Sequence, residues 1–362
     1  DLFAGPRRGQ MQGLITAVWG VASIAGPLLG GVIVDGWSWR WIFLLNLPLG
    51  VLVIGLVLGG LAETGSHAAG RSLDLAGAGT FLVGVTGFML ALLPSGGARG
   101  GGGLGVDRLG AVAVAALGLA AFVWAERRSA DPLLPWSLFG EPVFTAASVA
   151  GFFSSAAMFG ALVHVPLLVQ WGHGTDATTA GLSLMTMSTG WSVGGLVAGQ
   201  ALNRLGFRAL SLAGATLMTM GYAALALWPD VDWGTLLVIG GVTGIGMGLV
   251  SITLVVAVQS AIEPAHRGVA TSGLLFFRNI GATLGVALMG ATLTARLGTR
   301  LAGLEAGARH LPPDLVPALV GAVGFIFWLG VGATVLTLVA TYFLPDGTPG
   351  AATAPARREV LG

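Results

Sequence analysis

Long uninterrupted apolar runs dominate this sequence. A helix needs about 20 mostly apolar residues to cross a bilayer, and ten stretches approach or exceed that length. They are 12–34, 41–62, 74–93, 108–125, 143–170, 178–201, 209–228, 234–259, 268–295 and 317–343. The runs are continuous and far longer than the ~10-residue strands of a transmembrane barrel. Because lipid offers the backbone no hydrogen-bond partner, helix is the only conformation open to them.

The composition excludes water-soluble classes of protein. Only 9% of the residues are charged and 54% are hydrophobic, whereas a soluble domain carries about 25% charged residues. The net charge is +1 and there is no basic run, which excludes a nucleic-acid partner. Cysteine is absent, which excludes disulfides and thiolate metal sites. We predict an all-α polytopic membrane protein with no cofactor and no metal.

The arginine distribution predicts the orientation. Cytoplasmic connectors carry an excess of basic residues, and placing residues 1–11 inside gives ten Arg on the inner side and six on the outer side. Tryptophans that form an aromatic belt then line the outer interface: Trp37, Trp39, Trp41, Trp171, Trp228 and Trp233. We expect the chain to lie in the cytoplasmic membrane with both of its termini cytoplasmic.

The first span carries a Gly-Pro motif, residues 26–31 (Gly-Pro-Leu-Leu-Gly-Gly). Ala22, Gly26 and Gly30 share one smooth face on which another helix can pack closely, and Gly31 follows. Pro27 removes a backbone donor and bends the helix beside that face. A matching groove is predicted in the sixth span, and it consists of Gly190, Gly194, Gly195 and Gly199. Ordinary helix packing is the alternative, since 61 glycines yield roughly ten GxxxG pairs by chance.

The motif and its sequel carry a family resemblance. Residues 26–31, followed by Trp-Ser-Trp-Arg-Trp-Ile-Phe at 37–43 and Asn-Leu-Pro-Leu-Gly at 46–50, resemble the fifth and sixth helices of major facilitator antiporters. The subgroup is the fourteen-helix drug:proton antiporters of EmrB/QacA type. The resemblance continues through residues 131–134, 180–182, 204–208 and 278–281, and covers essentially the whole chain.

The resemblance implies a major facilitator fold and a division of the chain. The ten helices would be numbers five to fourteen. Residues 1–62 would be the last two helices of the amino-terminal bundle, 63–142 a linker with a two-helix insert, 143–343 the carboxy-terminal six-helix bundle, and 344–362 a cytoplasmic tail. Four helices would then precede Asp1 in a longer protein. In such families those helices hold the Asp and Arg that couple transport to protons.

One departure from the family concerns its gating loop. Residues 199–208 resemble the second-half copy of that loop, but Asn203 stands where an Asp is usual. Arg204, Gly206 and Arg208 remain, so contacts with phosphate or helix ends are retained while a carboxylate latch on a helix dipole is weakened. Simple positive-inside topology is the alternative explanation of these arginines.

Polar side chains inside a membrane span are costly, and three of those in the predicted spans are candidates for a functional role. Arg278 should face the bundle interior and act in substrate binding or conformational coupling; snorkelling to the interface is the alternative. His164 could be protonated in a transport cycle, but a hydrogen-bonded structural role is favoured because no acidic partner lies in any span. Asn46 is expected to bond carbonyl groups that Pro48 frees.

The resemblance implies a secondary active transporter that exports small amphipathic or drug-like molecules in exchange for protons, by alternating access. Phe152, Met158 and Trp191 are candidates for lining an apolar cavity, with core packing as their alternative. Because no carboxylate lies inside a span, we expect neutral, zwitterionic or anionic substrates. The partners would be the substrate, protons and the bilayer, with accessory efflux proteins left open.

Other functions remain as alternatives. The chain could be an exporter of one specific metabolite, or a non-transporting membrane receptor or assembly partner. An intramembrane enzyme would need a nucleophile with a base, or a metal cluster, at membrane depth. The spans offer no cysteine, and no carboxylate accompanies His164.

Overall fold

The structure is a computed structural model, and it describes residues 22, 25–26, 28–60, 74–92, 108–129, 136–172, 174–263, 266–298, 312 and 314–348. Residues 28–36 are helical and form the end of the first predicted span. Eight helices follow: α1 (Arg40–Gly60), α2 (Leu75–Leu92), α3 (Arg108–Arg128), α4 (Pro142–Leu167), α5 (Ala177–Leu227), α6 (Trp233–Ala261), α7 (Arg267–Leu297) and α8 (Val316–Tyr342). Within the described ranges all eight are long and apolar enough to cross a membrane. The prediction of an all-helical membrane protein is therefore confirmed.

Helix α5 differs from the prediction, because it joins two predicted spans into 51 residues. A straight helix of that length would extend about 76 Å, more than twice the ~30 Å hydrocarbon core. The chain instead turns at Gly206, whose φ of 79° and ψ of 173° are not helical. Glycine accepts a positive φ because it has no Cβ. The ten-helix count stays a prediction, since part of the first span lies outside the described residues.

Helices α4 to α8 pack into one bundle around a continuous apolar core. Its largest fully buried side chains include Tyr222, Phe144, Phe327 and Met158, and Phe207 lies in a second, smaller buried cluster. Proline begins α4, where its missing N–H has no helical partner to lose. Beyond Pro166 the helix continues as a π-helical turn, Leu168–Gly172. Wider turns of this kind occur where the regular bonding ladder is interrupted.

Aspartates cap the first turns of α5 and α6. Asp176 accepts a hydrogen bond from the Thr179 N–H at 2.9 Å, and Asp232 accepts one from the Thr235 N–H at 3.0 Å. These threonine bonds hold the pKa of both carboxyl groups below the usual aspartate range. The caps satisfy amide groups that a helix start leaves without partners.

Helices α2 and α3 form a separate close-packed pair. A Cβ added at Gly84 would lie 2.8 Å from the Leu119 nitrogen, so the two backbones touch at this glycine. A pair of tilted aromatic rings joins these helices to the bundle, with the Phe81 and Phe276 centroids 4.9 Å apart. Helix α1 buries none of its residues. Its apolar side chains are therefore available to lipid or to other parts of the protein.

Candidate functional site

The end of the helical segment 28–36 meets the first turn of α5. Asp35 Oδ2 accepts hydrogen bonds from the Thr178 N–H at 2.7 Å and from the Thr178 hydroxyl at 2.5 Å. Its Oδ1 accepts a third from the Ala177 N–H at 3.2 Å. A helix start carries about half a positive charge, so the carboxylate stabilises it electrostatically as well. This contact joins residues that are 143 positions apart.

Gly31 brings the two backbones together beside that carboxylate. A Cβ added at Gly31 would lie 2.7 Å from Thr178 Cα and 2.8 Å from the Ala177 carbonyl oxygen. Both atoms belong to the backbone, so they cannot rotate away. Among the described residues, nothing lies within 4 Å of a Cβ added at Gly26 or Gly30, the other glycines of the motif, and Ala22 is exposed. Pro27 lies outside the described residues.

The predicted groove in α5 packs elsewhere than expected. A Cβ added at Gly190 would overlap the Gly241 carbonyl oxygen, and one at Gly194 would overlap that of Ile245. Both partners lie on α6, in the same bundle, and not on the segment 28–36. Gly195 faces the Ile252 side chain, while Gly199 has open space around it.

Helix α6 takes this groove because it presents glycines of its own. Its Gly244 and Gly248 approach the backbone of α5 at Met187 and Trp191 in return. We call this reciprocal contact the α5–α6 glycine interface. Small residues on both helices allow contact without intervening side chains, which is the closest packing that two helices can reach. Neither Gly26 nor Gly30 makes a contact of this kind among the described residues.

The predicted gating loop fastens α5 to the chain after α8. The Phe207 N–H donates to the Gly347 carbonyl at 2.9 Å. Arg208 Nε donates to the Leu344 carbonyl at 2.7 Å, and its Nη1 pairs with Asp346. Asn203 and Arg204 are exposed. Arg208 and Gly206 therefore hold the turn against the carboxy-terminal bundle itself.

Two substitutions should distinguish how much each of the two Arg208 bonds contributes to stability. Asp346 is 72% exposed, so Asp346→Asn should lower the free energy of unfolding by only about 0.5 kcal/mol. Arg208→Gln also removes the bond to a carbonyl at the end of α8, and we expect a loss of about 1.5 kcal/mol. Thermal unfolding in detergent compares the two variants. Equal losses of unfolding free energy in the two variants would show that the exposed ion pair supplies all of the stabilisation by Arg208.

Arg278 lies within α7 and reaches α6. Its Nη2 donates to the Ser251 hydroxyl at 3.2 Å. A Cβ added at Gly151 of α4 would lie 2.9 Å from Arg278 Cγ, so the arginine stem lies against α4 at a glycine. The side chain thus faces neighbouring helices, as the sequence predicted.

His164 and Asn46 make local contacts. His164 is buried, and its Nδ1 lies 2.8 Å from the Gly160 carbonyl oxygen one turn earlier. This arrangement fits the structural role that was favoured for it. Asn46 Nδ2 donates to the Ile42 carbonyl at 2.9 Å. The carbonyl that Pro48 frees is that of Leu44, four residues before it, so Asn46 bonds a different carbonyl from the expected one.

The predicted cavity residues divide into two groups. Met158 is fully buried in the bundle core, where it cannot line a cavity in this structure. Phe152 and Trp191 are half-buried. The Trp191 ring meets the exposed ring of Phe159 edge to face, with centroids 6.4 Å apart. Met158 and Phe152 lie on the same helix, but the Met158 side chain points into the core.

Two features of the structure are not predicted by the sequence pattern. One is the Asp35 contact, since Asp35 reads as an ordinary residue at a span end. The other is the proximity of two carboxylates: a Cβ on Gly77 would lie 2.7 Å from Asp74 Oδ2 and 2.9 Å from Glu126 Oε1. Glu126 is buried in the last turn of α3, which runs three residues past the predicted span end at 125. The span pattern placed it in a connector.

Comparison with known proteins shows similarity to one family over most of the chain. The sequence profile of the Major Facilitator Superfamily matches residues 1–286. Multidrug transporter protein MdtP of Bacillus subtilis is 35% identical over 307 residues, covering 83% of this chain and 55% of MdtP. Multidrug resistance protein 3 of the same species is 29% identical over 373 residues, covering 95% of this chain and 72% of that protein.

A third relative comes from another genus. The methylenomycin A resistance protein of Streptomyces coelicolor is 32% identical over 290 residues, covering 79% of this chain and 60% of its own length. The chain therefore spans little more than half the length of MdtP and of this relative. All three are named for drug transport or drug resistance.

Proposed function

This chain belongs to the Major Facilitator Superfamily, and we propose that it exports small amphipathic or drug-like molecules across the bacterial cell membrane in exchange for protons. It is a multi-pass membrane protein of a transporter family and not an enzyme. Its relatives named for multidrug transport support drug-like substrates. The bilayer, the substrate and protons are its proposed partners.

The contact between Asp35 and the start of α5 is the observation that best supports alternating access. It connects the helix of the Gly-Pro motif, which we assign to the amino-terminal bundle, with the first turn of a helix in the carboxy-terminal bundle. Both groups lie on the outer side in the proposed topology, with both termini cytoplasmic. The contact therefore closes the outer side, and breaking it opens a path outward.

We also infer a place within the superfamily. Along the chain, the α2–α3 pair follows the segment that carries the Gly-Pro motif and precedes the bundle α4–α8. The two-helix insert of the fourteen-helix drug:proton antiporters has the same place in the order of helices. On this proposal the ten predicted helices are numbers five to fourteen. Residues 1–62, 63–142, 143–343 and 344–362 then keep the roles that the resemblance assigns to them.

Everted membrane vesicles test the proposed function. The intact protein is produced in a strain that lacks its own drug exporters, and respiration acidifies the vesicle lumen. A neutral probe such as Nile red or an anionic probe such as fluorescein is then added as the substrate. Its transport should release protons from the lumen, and a pH-sensitive dye reports that release. Purified protein in liposomes repeats the assay without accessory proteins. If the rate of probe uptake is the same with and without an imposed pH gradient, transport is not coupled to protons.

Asp35→Asn tests the outer contact. The amide keeps one acceptor but loses the charge, and charge-assisted hydrogen bonds contribute about 1.5 kcal/mol or more. That difference changes the ratio of closed to open protein roughly tenfold, so we expect a several-fold slower efflux. Asp230→Asn removes an exposed carboxylate from another connector and is the matched control. Equal rates in the two variants would show that the contact does not limit transport.

A further inference from the structure

Arg278 lies deep in the membrane-spanning part of α7. It follows Arg267, the first residue of the helix, by 11 positions, which places it about 16 Å along the axis. That depth is near the middle of a ~30 Å hydrocarbon core. A cationic side chain there is costly unless it has a partner or faces a water-filled space.

The arginine is held in place from two sides. Gly151 of α4 leaves room for its stem, since an added Cβ would lie 2.9 Å from Arg278 Cγ and 3.2 Å from Leu274 Cδ1. On the other side Nη2 donates to Ser251 of α6 at 3.2 Å, and Ser251 is itself buried. Helices α4 and α6 therefore fix the position of the guanidinium. A guanidinium has five N–H donors, and the bond to Ser251 is the one that Arg278 makes to a side chain within the described part of the chain.

The charge of Arg278 has no acidic partner within its own bundle. Helices α4 to α8, as the structure bounds them, contain no Asp and no Glu. The hydroxyl of Ser251 is neutral and cannot balance the charge. A planar guanidinium pairs best with an oxyanion, and with a carboxylate it forms two parallel hydrogen bonds.

Arg278 lies at a sparse contact between two helices. Helices α6 and α7 both pack on α4 but touch one another sparsely, and Arg278 lies between them. Its side chain is only half-buried. Further along α4, Phe159 follows Gly151 by eight residues, about 12 Å. Phe159 is exposed and pairs with Trp191 of α5, so the helix that holds the arginine stem also carries an apolar aromatic surface.

We propose that Arg278 binds the anionic group of an amphipathic carboxylate, while Phe159 and Trp191 contact its apolar body. The proposal rests on the proposed export function and narrows it to one substrate class. Ser251 acts as a positioning residue, because its hydroxyl orients the guanidinium. A mobile anion then supplies the countercharge that the bundle lacks, and it does so only while substrate is bound.

Binding of a matched pair of probes tests this assignment. Pyrenebutyrate and its methyl ester share one aromatic body and differ in a single negative charge. The intact protein is placed in nanodiscs of zwitterionic lipid, and probe fluorescence gives both dissociation constants without any pH gradient. The wild type should bind the carboxylate at least tenfold more tightly than the ester.

Variants assign that preference to Arg278. Arg278→Gln should remove it and leave ester binding unchanged, which also shows that the variant is folded. Arg278→Lys keeps the charge but not the planar fork and should retain about a threefold preference, as should Ser251→Ala. Arg296→Gln is the control, since Arg296 lies at the end of the same helix over the Phe325 ring and should keep the full preference.

Two results would overturn the proposal. A wild type that binds both probes equally would show that Arg278 is neutralised by a group of the protein. An Arg278→Gln variant that keeps the tenfold preference would place the anion elsewhere. If Arg278→Gln does not fold, Arg278→Lys and Ser251→Ala decide. Failure of proton coupling in the vesicle assay, with an Arg278-dependent preference intact, would contradict the export function and not this site.

Discussion

Gly31→Leu should reduce efflux at least tenfold while the protein still folds. An added Cβ would already lie 2.7 Å from Thr178 Cα and 2.8 Å from the Ala177 carbonyl oxygen, and leucine adds three further carbon atoms. Because these neighbours are backbone atoms, the segment 28–36 would have to move away from α5. That movement separates Asp35 from its amide partners, so the outer side cannot close. The bundle core is not involved in the contact.

Gly30→Leu is the matched control for this variant. It adds the same side chain one residue earlier, where no atom of the described part of the chain lies within 4 Å of an added Cβ. Efflux of a fluorescent probe from loaded cells gives the transport rate, and size-exclusion chromatography of the purified variants reports folding. Wild-type efflux from Gly31→Leu would show that outer closure does not use this approach.

Gly194→Leu should have the largest effect on stability. The added Cβ would overlap the Ile245 carbonyl oxygen and lie 2.9 Å from Ile245 Cα, at the α5–α6 glycine interface. Overpacking a core typically costs about 1–3 kcal/mol, and we expect the upper end here because the neighbours are backbone atoms. The helices would have to separate along their whole contact, which also breaks the reciprocal approach of Gly244 and Gly248.

Gly199→Leu is the corresponding control, since its position on the same helix is open. Thermal unfolding of both variants in detergent, followed by the loss of monodisperse protein, compares them. The Gly194 variant should unfold well below the wild-type temperature or fail to accumulate in the membrane. Similar unfolding temperatures for the two variants would mean that the interface relaxes easily, contrary to its backbone packing.

The helices could be predicted because the bilayer imposes both their length and their conformation. Apart from α5, each predicted span after residue 40 coincides with one helix to within a few residues. The turn at Gly206 falls between the two spans that the hydropathy pattern separates. Its position on one particular glycine depends on the hydrogen bond from the Phe207 N–H to the Gly347 carbonyl, which lies in the chain after α8. Contacts of that kind leave no local trace in a sequence.

Helix partners were harder to predict than helix positions. Gly190 and Gly194 stand out as a packing face, but a glycine pattern does not say which helix fills it. Helix α6 carries equally spaced glycines, and this complementarity was available in the sequence as a signal. Asp35 offered no such signal, because a carboxylate at a span end is normally solvated. Its role depends on where α5 begins in space.

The α5–α6 glycine interface bears on how such a protein can change over generations. Backbone atoms of both helices form the contact, so nearly every substitution there adds volume and is removed by selection for folding. On the proposed function, mutations that alter which compounds are recognised must therefore arise at positions outside this interface. Helix α4 with Phe159 and helix α7 with Arg278 present side chains that can vary without this penalty. If the protein exports drugs as proposed, changes in substrate range should map mainly to those two helices.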